Sequence, residues 1–155
     1  MKESFSITPR IIAHLGEDLI KNESIALLEL VKNSYDACAI NCIIDFNTNN
    51  EQLESLTITD DGVGMNLNII KNVWLVIGTD FKHKRLEPNC CGRFPLGEKG
   101  IGRLGIHKLG NKITLISKTI EDKEVCLSIN WSTLNQAKKI DENTYVILGR
   151  NKEFI

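Results

Sequence analysis

An α/β sandwich, in which a mixed and mostly antiparallel sheet packs on helices, is the fold class that the sequence predicts. The chain has 155 residues, of which 42% are hydrophobic, and this is enough to bury one core in one domain. Helical spacing of apolar residues recurs in several segments, and short β-rich runs lie between these segments. Because the order of elements contains no repeated β-α-β units, a sandwich is favoured over a doubly wound parallel sheet.

Helix caps and alternating apolar residues place the individual elements. Thr8 and Pro9 are typical of a helix start, and Asn22 can cap a second helix. The helices are expected at about 8–20, 22–39, 66–77 and 102–110. The strands are expected at about 42–46, 56–59, 112–118, 125–131 and 144–148, with a polar turn over 47–52.

The second helix combines apolar residues on most of its circumference with one polar stripe. Its apolar content predicts a buried helix. Glu29, Asn33 and Asp36 lie at i, i+4 and i+7, so these three side chains fall on one face. A buried charge needs a partner, which is either protein or ligand. The alternative is that the stripe is the solvated face of an amphipathic helix.

Two glycine-containing segments are candidates for binding a nucleotide. Gly97, Gly100 and Gly102 precede a helix, where backbone N–H groups can face an anion, so they predict a phosphate site. Asp60 enters a Gly-x-Gly turn formed by Gly62 and Gly64, which predicts a carboxylate that accepts a hydrogen bond from an exocyclic amine, beside a backbone that a flat ring can approach. An ordinary Asp-Gly turn at the end of a strand is the alternative for this second segment.

Commoner phosphate-binding motifs are excluded by their context. Residues 100–105 match G-x-G-x-x-G, but a Rossmann turn needs a strand directly before it, and residues 94–99 are irregular. The sequence G-x-x-x-x-G-K-[ST] does not occur, so the chain is not a P-loop protein.

The cysteines are expected to be reduced thiols. They are odd in number and lack the paired C-x-x-C spacing of a zinc site or of a secreted disulfide framework. The five are Cys38, Cys42, Cys90, Cys91 and Cys126.

Charge and hydropathy indicate the compartment and the kinds of partner that are expected for the protein. A formal net charge of −1 gives no sign of a nucleic-acid footprint, although it leaves contact with nucleic acid open. The longest apolar runs are too short to cross a bilayer, and the polar opening of the chain lacks a signal-peptide core. A cytoplasmic protein without a membrane partner is therefore expected.

Three motifs in a fixed order resemble the GHKL (Bergerat-fold) ATP-binding superfamily, which includes gyrase B subunits, heat-shock chaperones, histidine kinases and MutL-type repair proteins. The motifs are Glu29-x-x-x-Asn33-x-x-Asp36-Ala37, Asp60-x-Gly62-x-Gly64 and Gly97-x-x-Gly100-x-Gly102. Together they cover residues from about 29 to 105. The resemblance implies the Bergerat fold, ATP and Mg²⁺ as cofactors, and ATP hydrolysis.

The first motif would supply the chemistry. By the resemblance, Glu29 is the general base that activates water for attack on the γ-phosphate, and Asn33 holds Mg²⁺. Asp36 would line the nucleotide pocket, and Ala37 would lie beside it.

The other two motifs would hold the nucleotide at its two ends. Asp60 would read the adenine amino group, with Gly62, Gly64 and Met65 close to the base. The phosphates would lie in a cradle over residues 97–102, whose predicted binding residues are Gly97, Lys99, Gly100, Ile101 and Gly102. Lys99 is the first choice for a cation that reaches them, and Lys82 and Arg103 are weaker candidates. Residues 78–99 would form a lid over the nucleotide.

The sequence of the first motif favours the chaperone and MutL-like branch of the superfamily. It reads Glu-Leu-Val-Lys-Asn-Ser-Tyr-Asp-Ala. That branch implies a homodimer that forms on ATP binding in a longer protein, of which residues 1–155 are expected to be the ATP-binding domain. The late-strand Gly-Thr pair of that branch is missing, because Thr144 follows Asn143. A histidine-kinase-type catalytic domain and a nucleotide-sensing module with little hydrolysis are the alternatives.

Overall fold

The computed structural model describes residues 20–76, 88, 91–96, 102–134 and 146–149. Within these ranges the fold is mixed α/β, with small antiparallel sheets and short helices. The predicted helix at 8–20 lies outside the described residues except for Ile20, and so does most of the predicted lid. The elements in chain order are α1 (Glu23–Asp36), β1 (Cys42–Asn49), β2 (Gln52–Asp60), α2 (Leu67–Ile69), a π-helical turn (Ile70–Trp74), a 3-10 helix (Gly102–Lys108), β3 (Lys112–Ser117), β4 (Val125–Asn130), α3 (Trp131–Leu134) and β5 (Val146–Gly149).

Helix α1 begins where the sequence predicts and ends earlier. The side chain of Asn22 accepts a hydrogen bond from the backbone N–H of Ile25 at 3.0 Å, which confirms the predicted N-cap. The helix ends at Asp36 rather than near residue 39, because Cys38 adopts a left-handed backbone conformation with φ +65°. The N–H of Cys38 then bonds to the carbonyl of Tyr35, and the N–H of Ala39 bonds to that of Ser34. This pattern is a Schellman motif, with cysteine where glycine is usual.

The prediction that α1 is a buried helix is wrong. Only Ala26 and Ser34 are buried on it, and Leu28 is 51% exposed. Tyr35 is also exposed, and the remaining apolar residues of the helix are half-buried. The helix therefore lies at the edge of the fold, where its polar residues need not be fully desolvated.

Strands β1 and β2 form an antiparallel hairpin that is longer than predicted. Its register pairs Cys42 with Asp60 and Ile44 with Ile58. The turn takes only two residues, Asn50 and Glu51, which have φ values of +47° and +65°. Such a two-residue turn matches the twist of its strands, so pairing extends into the segment predicted as a polar turn.

The second sheet holds the core of the described part of the chain. Its strand order is β3-β4-β5, all antiparallel, which confirms the predicted hairpin at 112–118 and 125–131 and the strand near 144–148. Alternate residues of the central strand β4 are buried, as expected for a strand with one face in the core. The buried core cluster contains Ile70, Val125, Leu127, Ile129 and Trp131.

Two predicted helices take other forms. The helix expected over 66–77 has three α-helical residues and then a π-helical turn, in which the N–H of Leu75 bonds to the carbonyl of Ile70. The segment after Gly102 is a 3-10 helix that ends at Lys108. Both segments are short, so side-chain packing against β4 or α1 decides their form more than helix propensity does.

The sandwich is recovered only in part. Among the described residues, the strands form two separate antiparallel sheets rather than one mixed sheet. Two side-chain hydrogen bonds join the segment after β2 to the second sheet. The hydroxyl of Ser117 accepts from the N–H of Met65 at 2.8 Å, and Asp122 accepts from the amide of Asn66 at 3.1 Å.

The prediction of reduced thiols is wrong for two cysteines. Cys38 and Cys91 form a disulfide between residues 53 positions apart in the chain. Their pairing depends on the turn that ends α1, and the spacing of cysteines in the sequence carries no sign of it. Cys42 and Cys126 are free thiols, and Cys90 lies outside the described residues.

Asp61 fastens the loop after β2 to the chain that follows α1. Its Oδ1 accepts hydrogen bonds from the backbone N–H groups of Ile40 at 2.7 Å and Asn41 at 2.9 Å, and its Oδ2 accepts from the Asn41 side chain at 2.8 Å. Hydrogen bonds from the backbone and side chain of Asn41, and then from the backbone of Ile40, lower the pKa of Asp61 from its ordinary value of 3.8.

In the described part of the chain, no helix has the length and apolar character needed to cross a membrane.

Truncation of Leu127 tests the position of the core. Leu127 is fully buried on β4, so Leu127→Ala should lower the free energy of unfolding by about 2–5 kcal/mol through lost burial and a residual cavity. Ile116→Ala on the neighbouring strand β3 is the matched control. Because Ile116 is 61% exposed, its truncation should cost less than about 1 kcal/mol. Urea unfolding measures both, and equal costs would contradict the assigned core.

Acidification tests the Asp61 contacts. The folded-state pKa of Asp61 is lowered, so its contribution to stability is present above pH 3.8 and is lost as the pH falls through the folded-state value. Wild type should therefore exceed Asp61→Asn in urea stability near neutral pH, and this difference should shrink on acidification. Asp45→Asn, at an exposed position on β1, should leave the pH profile of wild type unchanged. A difference between wild type and Asp61→Asn that is independent of pH would contradict the role of Asp61.

Candidate functional site

The polar stripe of α1 is half-buried. Glu29, Asn33 and Asp36 are each partly accessible, so the stripe is neither a solvated face nor a set of core residues. The Glu29 side chain is 22% exposed, and its Oε1 lies 2.8 Å from the Nζ of Lys32 in an i,i+3 ion pair. A carboxylate in this position keeps some contact with water and has a fixed cationic neighbour.

Glu29 lies directly against Gly102, the last glycine of the predicted phosphate cradle. A Cβ at position 102 would collide with the Glu29 carboxylate at Oε2 and would lie 3.1 Å from the Glu29 Cβ. Position 102 therefore has to be glycine while Glu29 keeps this orientation. The first and third motifs meet at this point.

Asp60 is joined to α1 through Ser34. Its Oδ2 accepts a hydrogen bond from the hydroxyl of Ser34 at 3.0 Å, and its Oδ1 accepts one from the N–H of Gly62 at 3.0 Å. Ser34 is 3% exposed and its hydroxyl also lies 3.3 Å from the carbonyl of Leu30. Two donors thus orient the carboxylate, which still has lone pairs for a further donor.

Ser34 is a site residue that the sequence reasoning missed. It follows Asn33 directly and lies off the polar stripe, so the helical spacing gave no reason to select it. The free thiol of Cys42 extends the same network, with its Sγ 3.6 Å from the Ser34 hydroxyl. The available signal was a hydroxyl on the helical face that also carries Leu27, Leu30 and Val31, since a polar group on an apolar face needs a hydrogen-bond partner.

The glycines of the second motif allow close packing of backbone. A Cβ at Gly62 would lie 2.7 Å from the carbonyl oxygen of Ala37 and 2.8 Å from the Ala37 Cβ. That carbonyl also accepts the N–H of Val63 at 2.8 Å. Gly64 has φ +70°, and a Cβ there would collide with the carbonyl of Lys118. Met65 is half-buried beside the core cluster.

Asp36, at the end of the stripe, holds the segment 91–96. Its Oδ1 accepts a hydrogen bond from the N–H of Leu96 at 2.7 Å. Arg93 donates to the carbonyl of Ala39 at 2.8 Å, and its guanidinium lies 4.8 Å from the centroid of the Tyr35 ring. This segment belongs to the predicted lid, and sequence reasoning had singled out neither Arg93 nor Leu96.

The structure brings several predicted residues together and leaves others undescribed. Glu29 meets Gly102, Asp60 meets Gly62 and the helix, and Gly62 meets Ala37. The remaining cradle residues, namely Gly97, Lys99, Gly100 and Ile101, lie outside the described residues, as do Lys82 and the side chain of Arg103.

No described group of three or more His, Cys, Asp or Glu side chains could hold a metal by itself. A metal bound at this site would therefore need ligands other than such a cluster.

Comparison with known protein families gives a match whose range includes all three motifs. Residues 21–150 match the family described as Histidine kinase-, DNA gyrase B-, and HSP90-like ATPase. Among curated proteins, none matches the chain. The family match covers most of the 155 residues and includes the whole region in which the motifs meet. The chain belongs to the Histidine kinase-, DNA gyrase B-, and HSP90-like ATPase family.

Proposed function

We propose that the chain is an ATP-binding module that hydrolyses ATP with the help of Mg²⁺. The observation that carries the proposal is the contact of Glu29 with Gly102, because Gly102 is the last residue of the predicted phosphate cradle. Membership of the ATPase family supports the same conclusion. Hydrolysis needs a base near the terminal phosphate, and Glu29 is the carboxylate that we assign to this role.

Asp60 is the proposed recognition group for adenine. Ser34 and Gly62 orient its carboxylate, so its remaining lone pairs have a defined direction. The exocyclic amine of adenine donates to such an acceptor, whereas the carbonyl group at the same ring position of guanine does not. ATP and ADP are therefore the proposed ligands.

Asn33 is the proposed protein ligand of Mg²⁺. It lies one helical turn after Glu29 and is half-buried, and an amide oxygen is a ligand that Mg²⁺ accepts. Mg²⁺ usually takes few protein ligands and completes its shell with water and phosphate, which suits a site without a described cluster of acidic and histidine side chains. Bound Mg²⁺ supplies positive charge that stabilises the phosphate oxygens during cleavage.

In the proposed reaction, Glu29 accepts a proton from the water that attacks the γ-phosphate. Its contact with Gly102 would hold the carboxylate at the proposed cradle, and its partial burial would limit competition from bulk water. Asp36 forms the wall of the pocket and holds Leu96. By resemblance to the chaperone and MutL-like branch, ATP-driven dimerisation of a longer protein is the proposed output.

A nucleotide-sensing module with little hydrolysis is the second candidate. The ion pair between Lys32 and Glu29 favours it, because an ammonium group at 2.8 Å competes with water for the carboxylate. In this case ATP would bind and remain largely intact, and binding alone would be the signal.

Replacement of Glu29 tests the assignment of the base. Glu29→Gln keeps the shape of the side chain and removes its basicity, so ATP turnover should fall by about 10²- to 10⁴-fold while ATP affinity is retained. Phosphate release and calorimetry measure these two quantities. Glu23→Gln, at an exposed position in the first turn of α1, is the control and should keep turnover. Full turnover in Glu29→Gln would exclude this base, and a wild type that binds ATP without hydrolysis would favour the sensing module.

Replacement of Asp60 tests the recognition of adenine. Asp60→Asn keeps one carbonyl oxygen, which can serve Ser34 or Gly62 in its present position, and replaces the other acceptor with an NH₂ group. ATP affinity should therefore fall by about tenfold to a hundredfold, and the preference for ATP over GTP should weaken. Asp45→Asn on the neighbouring strand is the matched control in calorimetry. Unchanged ATP affinity in Asp60→Asn would overturn the assignment of the base pocket.

A further inference from the structure

The segment 91–96, here called the strap, is fastened to the end of α1 at three points. The disulfide joins Cys91 to Cys38, and Arg93 contacts both the Tyr35 ring and the Ala39 carbonyl. Leu96 donates its N–H to the carboxylate of Asp36. The disulfide is the covalent link in this set. Each of the other contacts is individually weak, because it is solvent-accessible or forms only while the strap stays in place.

The turn that receives the strap also holds the proposed adenine site. The carbonyl of Ala37 accepts the N–H of Val63, and Asp61 accepts N–H groups from Ile40 and Asn41. Cys38 lies between these contacts in the chain. A change at Cys38 therefore acts on a turn to which both the strap and the loop after β2 are bound.

The strap also precedes the proposed phosphate site. Leu96 and Gly102 are separated by five residues in the sequence, and α1 contacts both, through Asp36 and Glu29 respectively. Fixing Leu96 on Asp36 limits the positions that residues 91–96 can take before nucleotide binds. Fewer positions before binding mean a smaller loss of entropy on binding.

We propose that Cys38 and Cys91 are a thiol–disulfide exchange site whose redox state sets the affinity for nucleotide. The affinity part of this proposal rests on the proposed ATP-binding function. The oxidised form holds the strap and binds nucleotide more tightly, and the reduced form releases the strap and binds it more weakly. Disulfides in a reducing compartment are commonly redox-sensing, which is the setting in which this exchange has an effect.

The exchange is balanced by a thiol reductant. A thiolate of a small monothiol or of a dithiol protein attacks one sulfur of the Cys38–Cys91 bond, and the other cysteine leaves as a thiolate that takes up a proton. A second reductant thiol then attacks the mixed disulfide. The two cysteines gain two electrons and two protons in total, and the reductant becomes a disulfide.

Calorimetry with ATP and Mg²⁺ on the oxidised and the reduced chain tests the proposal. Reduction should weaken affinity by about fivefold to tenfold, at the lower end of typical coupling between sites. Alkylation followed by peptide mapping should show Cys38 and Cys91 protected before reduction and labelled after it. Labelling of both cysteines without reductant would overturn the assignment of the pair.

Cysteine variants separate this pair from the other thiols. Cys91→Ser should bind nucleotide as the reduced wild type does and should not respond to reductant. Cys38→Gly should behave in the same way, and glycine suits the positive φ at this position, so the turn is kept while the disulfide is lost. Cys90→Ser and Cys126→Ser are controls that should retain the full response. Loss of the response in Cys90→Ser, or its persistence in Cys91→Ser, would overturn the proposal.

The outcomes distinguish failure of the redox effect from failure of the proposed ATP-binding function. Equal ATP affinity in the oxidised and reduced forms overturns the redox effect and leaves the ATP-binding function in place. Absence of ATP binding in both forms overturns both. A response in wild type that is absent from Cys91→Ser and Cys38→Gly supports both.

Discussion

The approach of Gly62 to the carbonyl of Ala37 is the contact on which the arrangement of the site depends. A side chain at position 62 would lie 2.7 Å from that oxygen, so only glycine lets the end of β2 reach the end of α1. Once these backbones meet, the carbonyl accepts the N–H of Val63, and the Ser34 hydroxyl comes within 3.0 Å of Asp60. Steric fit and hydrogen bonding thus act on the same few atoms.

Local signals in the sequence predict local structure well in this chain. The Asn22 cap and the β3–β4 hairpin follow from side-chain chemistry and from alternation with period two, and both are confirmed. The ends of elements are predicted less well, because they depend on single backbone conformations. Cys38 in the left-handed region ends α1 early, and a two-residue turn lengthens the first hairpin.

Contacts between distant segments explain what the sequence could not predict. The motifs selected Glu29, Asp60 and Gly102 as candidates, yet Ser34 acquires its contact with Asp60 only after α1 packs on the end of β2. The disulfide likewise needs the strap to lie beside the turn after α1, which no cysteine spacing expresses. The apolar content of α1 predicted more burial than the helix has. A half-buried helix and a buried helix can have the same composition, because they differ in which other elements cover them.

The contact between Gly102 and Glu29 has a consequence for mutational scanning of this protein. Because a Cβ at position 102 would collide with the Glu29 carboxylate, any side chain there displaces the residue that we propose as the base. Loss of activity after substitution at position 102 would therefore report a displaced carboxylate as readily as a damaged phosphate cradle. Tolerance at the two positions should be correlated, and a larger residue at position 102 should be accepted more readily beside a shorter one at position 29. The residues tolerated at one of these positions therefore depend on the residue at the other, although 73 positions separate the two along the chain.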